Sequence, residues 1–301
     1  MIISASRRTD IPAFYSDWFL KRIEEGFVLV RNPMNTRQVS RVSLVPGSVD
    51  CIVFWTKNPA NMIDKLKYLD DRKFNYYFQF TLTPYDKAVE PNLPSKDEVV
   101  TTFIELSKRI GKTRVIWRYD PILITNELDR EYHYRSFESL AGKLAGHTEK
   151  CIISFVDFYA KCRKRLSILN AREISPEDID AIANVFAGIG KANNIKIQTC
   201  AEETALEELG IAHGKCVDDK LISRVIGRPH ELKKDKSQRE LCDCVASFDV
   251  GAYNTCFHHC LYCYANHGND AVMAKTARHR IESPLLSDLL EESDKIFIKN
   301  T

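Results

Sequence analysis

Short runs rich in Ile, Val, Phe, Tyr and Trp alternate with segments of helical spacing along the first two thirds of this 301-residue chain. Such runs suit strands that are buried on both faces, and their alternation with helices predicts parallel βαβ units. A single α/β barrel takes about 250 residues, which this chain can supply. The expected fold class is therefore α/β, with a partial or complete TIM-like (β/α) barrel. The predicted strands are 2–6, 51–56, 76–81, 114–119, 151–156 and 195–199.

Signals for the start and end of helices lie between these runs. Ser95 and Glu98 form a capping box ahead of an apolar stripe that stops at Gly111. Ser175 followed by Pro176 opens another helix. Weaker patterns predict helices over 16–25, 59–72 and 130–146.

The predicted elements divide the chain near residue 200. Residues 1–200 are expected to form the α/β barrel body, with a β-hairpin insertion at about 28–46. Residues 201–301 are expected to form a cysteine-rich iron–sulfur lobe and a closing helical tail packed on the barrel.

Composition and charge exclude several classes of protein. The chain is 44% hydrophobic and 28% charged with a net charge of +2, which is ordinary for a globular protein. A net charge this close to zero argues against the extended basic surface that is typical of nucleic-acid-binding proteins. No apolar run approaches the roughly 20 residues that span a bilayer, and the first residues lack the layout of a signal peptide. We therefore expect a cytoplasmic protein with no membrane partner.

The ten cysteines are unevenly distributed along the chain. Disulfides are disfavoured in the cytosol, so clustered cysteines there favour metal or redox chemistry. Cys51, Cys151 and Cys162 are scattered and are expected to be buried core thiols. The remaining cysteines fall in one stretch near the C-terminus: Cys200, Cys216, Cys242, Cys244, Cys256, Cys260 and Cys263.

The last three cysteines, Cys256, Cys260 and Cys263, have C-x3-C-x2-C spacing. Three thiolates this close can hold three corners of a cubane iron–sulfur cluster and leave the fourth iron open to a small molecule. This spacing is the signature of radical S-adenosylmethionine enzymes, and the aromatic Tyr262 before the last cysteine also fits their motif. A structural zinc site made by the three thiolates and His267 is the alternative.

Four stretches of the chain serve as landmarks: 6–12, 54–59, 117–121, and 242–244 through 262–266. With these landmarks the chain resembles an uncharacterised bacterial family of unknown function whose members carry a radical-S-adenosylmethionine-like cysteine cluster at the C-terminus. The resemblance implies a [4Fe–4S] cluster and S-adenosylmethionine as cofactors, and a low-potential electron donor such as a flavodoxin or ferredoxin. It also implies an enzyme that generates a 5′-deoxyadenosyl radical to abstract hydrogen from its substrate. The alternatives are a non-radical iron–sulfur redox or sensor protein and a zinc-stabilised α/β protein.

The C-terminal position of the motif suggests a barrel that is circularly permuted relative to radical S-adenosylmethionine enzymes. If 245–250 is the strand before the cysteine loop, the strand over 2–6 becomes its neighbour, and the loop after that strand takes the cofactor-binding place. Hydroxyl and carboxylate oxygens there are expected to accept from the cofactor's ammonium group, and an arginine is expected to pair with its carboxylate. The predicted cofactor-binding residues are Ser6, Arg7, Arg8, Thr9, Asp10 and Tyr262.

The other four C-terminal cysteines, Cys200, Cys216, Cys242 and Cys244, form a possible second site. Four thiolates can hold an auxiliary [4Fe–4S] cluster or a zinc ion. Their spacing matches no tight rule, and buried core thiols are the alternative.

Polar residues at the carboxyl ends of barrel strands are candidates for substrate chemistry. The candidate catalytic residues are Lys57, Arg118, Asp120 and Asp157, with Gln198 and Glu202 at a neighbouring strand end. Mutual salt bridges that fix the barrel rim are the alternative for each of them. The substrate class stays open between a small molecule and a nucleic-acid derivative, since 263–266 resembles the motif of photoproduct-lyase-like members.

Overall fold

The computed structural model describes residues 1–200 and 206–299. The strands are β1 (Ile2–Ala5), β2 (Phe27–Arg31), β3 (Gln38–Ser43), β4 (Cys51–Thr56), β5 (Tyr76–Thr81), β6 (Val115–Ile122), β7 (Lys150–Phe155), β8 (Lys196–Thr199), β9 (Ala212–His213), β10 (Phe248–Asp249) and β11 (Lys295–Lys299). The helices are α1 (Ile11–Phe14), α2 (Ser16–Glu25), α3 (Ala60–Ile63), α4 (Leu66–Asp71), α5 (Lys96–Ile110), α6 (Arg130–Leu144), α7 (Ala160–Ile168), α8 (Pro176–Ala192), α9 (Asp219–Ile226) and α10 (Asn269–Thr276).

A parallel sheet forms the centre of the molecule. Within the described residues it has eight strands, hydrogen-bonded in the order β10-β1-β4-β5-β6-β7-β8-β9. The predicted strands correspond to β1, β4, β5, β6, β7 and β8, so the α/β class and the parallel arrangement are confirmed. Because every strand runs the same way, all their carboxyl ends meet at one edge of the sheet.

The two faces of the sheet are covered by different parts of the chain. Alternate residues of each strand point to opposite faces. Phe54, Phe78 and Trp117 belong to the main core, which includes the apolar stripes of the helices. Val53 and Tyr77 belong to a second core, in which α9 and the segment carrying Cys216, Cys242 and Cys244 pack against the sheet. Helices α2, α5, α6 and α8 therefore cover one face, and the cysteine-rich lobe with α9 covers the other.

The helix signals in the sequence correspond to real helix ends. Ser95 accepts a hydrogen bond from the Glu98 backbone and closes the capping box of α5, which ends before Gly111 at φ 89°. Ser175 caps α8, with Pro176 in its first turn. Both helices pack their apolar faces into the main core, so local capping and long-range burial specify the same boundaries.

The C-terminal tail differs from the expected closing helices. After the short helix α10 the chain returns as β11, which pairs in parallel with β3, while β3 pairs antiparallel with β2. The β-branched residues Ile296 and Ile298 favour a strand, and the hairpin offers an open edge for pairing. Arg31 on the hairpin fixes the tail through a 2.8 Å hydrogen bond to Asp294. The prediction of a helical tail is therefore wrong beyond α10.

Strand β10 lies within the predicted 245–250 segment and sits beside β1. Ser4 of β1 is in register with Asp249 of β10, so the loops that follow the two strands leave the sheet side by side. In the described part of the chain, no helix is long and apolar enough to cross a membrane.

Candidate functional site

The carboxyl ends of the strands open into a cavity of about 630 Å³. The sequence-predicted residues converge on it from the loops after β1, β4, β6, β7, β8 and β10. Gln198 and His267 do not line it. The predicted catalytic, cofactor-binding and cysteine positions that line it are Ser6, Arg7, Arg8, Thr9, Asp10, Lys57, Arg118, Asp120, Asp157, Cys200, Cys216, Cys242, Cys244, Cys256, Cys260, Tyr262 and Cys263. Glu202 lies outside the described residues.

The loop that carries the last three cysteines is closed on itself by hydrogen bonds. The Asn254 backbone donates to the Ala265 carbonyl at 3.0 Å, and the Asn266 side chain donates to the Cys256 carbonyl at 2.7 Å. Arg165 on α7 donates to the carbonyl of Leu261 at 3.0 Å and to three further carbonyls of the same loop. The loop therefore has a defined path that presents its three thiols to the cavity.

Burial dominates the electrostatics of these three thiols. It raises the pKa values of Cys256 and Cys263, and it raises that of Cys260 to about 12, although the charge of Lys57 acts in the opposite direction at Cys260. Cys260 and Cys263 also raise the pKa of Cys256, and Cys263 raises that of Cys260, because nearby thiolates repel one another. Three buried thiols that are this costly to ionise separately gain most from a shared cationic centre.

The zinc alternative for this trio can be compared with the side-chain geometry. Among residues 1–200 and 206–299, no three or more His, Cys, Asp or Glu side chains surround one point as ligands of a single ion do. His267, the expected fourth ligand, instead lies with its Nδ1 3.0 Å from the Asn254 amide nitrogen. A cubane cluster does not require ligands that meet at one point, because its own irons and sulfides separate the thiolates. All three cysteines line the same cavity.

A buried charge network lies beside the cysteine loop. Lys57 donates to the Glu90 carboxylate at 2.7 Å, and Lys96 and the hydroxyl of Tyr262 donate to it as well. The hydroxyl of Thr83 adds a further 2.7 Å bond. Burial alone would raise the pKa of Glu90, but the two lysine charges outweigh it and bring the pKa to about 2. The sequence reasoning missed Glu90, which fixes both Lys57 and Tyr262 at the site.

The loop after β1 is organised by Asp249 of β10. Its carboxylate accepts from the Ser6 hydroxyl at 2.5 Å, from the Arg7 backbone at 2.7 Å and from Arg8 Nε at 3.0 Å. Gly251 passes so close that an added Cβ would lie 2.1 Å from Ser6 Oγ. The loops after β1 and β10 are thus interlocked, as expected for neighbouring strands.

Some polar atoms of the loop after β1 are left without protein partners. Within the described residues, the buried Arg7 Nη2 and Thr9 Oγ1 have no hydrogen-bond partner. Buried polar groups are normally satisfied, so unpartnered atoms on a cavity wall point to a bound ligand. Both residues belong to the predicted cofactor loop.

Asp10 is predicted to bind the cofactor, but its carboxylate is hydrogen-bonded to protein groups. Its Oδ1 caps α1 by accepting from the Ala13 backbone at 3.0 Å. Its Oδ2 accepts from the Lys57 backbone at 2.7 Å and lies 2.8 Å from Nε2 of His258, in the cysteine loop. Both oxygens already have protein partners, so Asp10 positions the cysteine loop.

The predicted catalytic residues at the ends of β6 and β7 are paired with one another and with the lobe. Arg118 and the hydroxyl of Ser154 both donate to the Asp120 carboxylate. Asp157 accepts from Tyr159 and from Arg239, each at 2.8 Å. These contacts form a polar wall of the cavity, as the alternative of mutual salt bridges at the barrel rim predicts. Arg118, Asp120 and Asp157 nevertheless line the cavity.

The remaining cysteines fall into two groups, and Cys242 and Cys244 line the cavity with Cys200 and Cys216 in the second. Cys51, Cys151 and Cys162 are buried in apolar clusters, as expected of core thiols. Cys200 and Cys216 approach to 3.1 Å between sulfurs on the cavity wall that β8 and the lobe form.

Among known proteins, the chain matches one family and no individual protein. No curated protein and no solved structure matches the chain. The family described as a domain of unknown function, DUF1848, matches residues 2–265. That span contains β1–β10 and every residue that lines the cavity, and it leaves out only the start of the chain and the tail with α10 and β11. The chain belongs to the DUF1848 family.

Proposed function

We propose that this chain is a radical S-adenosylmethionine-type enzyme. Cys256, Cys260 and Cys263 would hold a [4Fe–4S] cluster at the cavity. The observation that carries the proposal is the convergence of these three buried thiols and the predicted cofactor loop on one cavity of about 630 Å³. Residues far apart in sequence meet there at the edge of a parallel sheet where ligands bind in α/β folds.

When bound, the cluster would pass one electron to S-adenosylmethionine, whose cleavage gives methionine and a 5′-deoxyadenosyl radical that takes a hydrogen atom from substrate. The chain itself supplies binding, orientation and exclusion of water. Thr9 Oγ1 and Arg7 Nη2 are free to contact the cofactor's ammonium and carboxylate groups, respectively. Ser6 and Arg8 hold the shape of that loop through Asp249, and Asp10 links it to the cysteine loop.

We further propose that the sheet is a partial barrel in circularly permuted order. Helices cover one of its faces, as they cover the outside of a barrel, and the cysteine-rich lobe fills the other. The cysteine loop follows β10, and the neighbouring strand β1 is followed by the predicted cofactor loop. The cofactor elements would thus keep their usual spatial neighbours although the chain starts at β1.

The substrate would lie against the polar wall formed by Arg118, Asp120, Asp157 and Lys57. A cavity of a few hundred Å³ has the size of small-molecule sites, which favours a small molecule or an isolated nucleotide unit over a folded macromolecule. A low-potential flavodoxin or ferredoxin would supply the electron. The cysteine loop, whose Tyr264 is 41% exposed, is the nearest surface for such a donor.

The test is formation of 5′-deoxyadenosine by anaerobically purified and reconstituted protein with S-adenosylmethionine and dithionite. We expect a brown protein that forms 5′-deoxyadenosine. A Cys256→Ala/Cys260→Ala/Cys263→Ala variant should form none and should bind about four fewer irons per chain. Cys162→Ala is the matched control, because this thiol lies in an apolar cluster and does not line the cavity.

The other outcomes separate the alternatives. A brown protein that forms no 5′-deoxyadenosine would favour a redox or sensor protein. A colourless protein with stoichiometric zinc, unchanged in the triple variant, would overturn the proposal.

A further inference from the structure

Four cysteines outside the trio meet on the opposite side of the cavity. Cys200 follows β8, Cys216 follows β9, and Cys242 and Cys244 precede β10. The sulfurs of Cys200 and Cys216 lie 3.1 Å apart, and Cys242 and Cys244 pack in the same buried cluster as Cys216. The four thiols therefore make one continuous group, although their spacing in sequence follows no motif.

The backbone around this group is held by the central sheet. The carbonyl of Cys216 accepts from Tyr77 at 2.7 Å and from Gln79 at 2.6 Å, both on β5. The Val217 backbone donates to Cys244 Sγ at 3.4 Å. Cys216 and Cys244 are each 2% exposed. Side chains on a support of this kind can present ligands in a fixed arrangement.

Two guanidinium groups face these thiols. Arg118 Nη1 lies 2.7 Å from Cys216 Sγ, while its other nitrogen pairs with Asp120. Arg7 lies over the ring of Trp55 at 5.0 Å, and among the described residues its buried Nη2 has no hydrogen-bond partner. Arg118 therefore places positive charge beside Cys216, and a negatively charged metal–thiolate centre there would use it as a counter-charge.

We infer that Cys200, Cys216, Cys242 and Cys244 form a second metal site with four thiolate ligands, separate from the trio. Four thiolates around Zn²⁺ or around an iron–sulfur core carry net negative charge, which Arg7 and Arg118 would balance. Among the described residues no three of these side chains surround one point, and the sulfurs of Cys200 and Cys216 are in direct contact. A tetrahedron with metal–sulfur bonds of about 2.3 Å has edges of about 3.8 Å, so the 3.1 Å pair must turn apart to admit a metal.

The experiment removes the trio and asks whether metal remains. The chain with Cys256→Ser, Cys260→Ser and Cys263→Ser is purified anaerobically, and its iron, sulfide and zinc are counted. The second site predicts retained metal, either about one zinc or about four irons with matching sulfide, the two counts distinguishing the metals. Adding Cys216→Ser and Cys244→Ser must remove it, whereas adding Cys51→Ser and Cys151→Ser must not.

A folded trio variant that holds no metal, with or without reconstitution, would overturn the inference. Metal that survives Cys216→Ser and Cys244→Ser would also overturn it. If a variant fails to fold, cysteine alkylation of the unmodified chain is compared with and without a chelator. The chelator must expose these four cysteines to the reagent and leave Cys51 protected. The result is independent of the proposed enzymatic function, because the trio and the cleavage of S-adenosylmethionine play no part in it.

Discussion

His258 and Asp10 are separated by 248 residues in sequence, yet Nε2 of His258 lies 2.8 Å from Oδ2 of Asp10. The contact joins the cysteine loop to the loop after β1, and both side chains are almost fully buried. The same carboxylate caps α1 and accepts from the Lys57 backbone. One aspartate thus couples the proposed cluster loop to the proposed cofactor loop.

We expect Asp10→Ala to reduce both stability and iron content. The substitution removes a helix cap and leaves the Lys57 N–H and His258 buried without an acceptor, which together cost about 2–4 kcal/mol. Chemical unfolding and iron analysis after reconstitution measure the two effects. Asp97→Ala is the control, because that carboxylate is exposed and solvent screens its pair with Lys143. Unchanged stability in Asp10→Ala would contradict the positioning role.

Gly251→Ala is expected to disrupt the cofactor loop. The new Cβ would lie 2.1 Å from Ser6 Oγ and 2.6 Å from Ser6 Cβ, so the loop after β1 must shift. Overpacking of this kind costs about 1–3 kcal/mol, and we expect weaker S-adenosylmethionine binding in equilibrium dialysis. Gly188→Ala in α8 meets no atom within 4 Å and should be neutral or stabilising. Equal affinities in the two variants would show that the loop plays no part in binding.

The Glu90 network predicts a specific dependence of stability on pH. The pKa of Glu90 falls from an ordinary value of 4.5 to about 2 in the folded chain, where the lysine charges outweigh burial. Its stabilising contribution is therefore complete above about pH 4.5 and is lost as the pH falls toward 2.

Glu90→Gln should lower the free energy of unfolding at neutral pH by about 3 kcal/mol and flatten its decline between pH 5 and 3. Urea unfolding at a series of pH values measures both quantities. The exposed Glu105→Gln on α5 serves as the control and should keep the slope of the unmodified protein. A Glu90→Gln curve that runs parallel to the unmodified one would show that this carboxylate carries no such linkage.

Arg165 is expected to control how well the cysteine loop holds metal. Its guanidinium donates to carbonyls of Leu261, Asn266 and two other residues of the loop. Hydrogen bonds from a charged donor contribute about 1.5–3 kcal/mol each, so Arg165→Met should lower the iron bound per chain and expose the trio to alkylation. Arg163→Met, an exposed position on the same helix, is the matched control. Equal iron content in both variants would show that Arg165 does not hold the cysteine loop in its metal-binding conformation.

The parallel strands and several site residues could be predicted because their signals are local. The capping box at Ser95 and the cysteine spacing at Cys256 need only neighbouring residues to be recognised. The rule that parallel strands end at one edge then places Arg118 and Asp120 at the same cavity as the cysteines, which the structure shows.

The missed features depend on contacts between distant segments. Glu90 lies in an irregular segment, and its role arises only when Lys57 and Tyr262 arrive from β4 and the C-terminal loop. The sequence analysis predicts a helical tail where β11 forms. The strand's partner is the edge of a hairpin more than 250 residues earlier, so the pairing leaves no mark near β11 itself. Hydrophobic periodicity does not carry such pairings, so neither feature had a signal in the local sequence.

The most direct test of an open iron at Cys256, Cys260 and Cys263 is the EPR spectrum of the reduced protein before and after addition of S-adenosylmethionine. A chain with Cys216→Ser and Cys244→Ser isolates the trio's signal. Binding of the cofactor to the cluster predicts a changed spectrum, with shifted g values. An iron-loaded, reduced protein whose spectrum stays the same at saturating S-adenosylmethionine would contradict the proposed function.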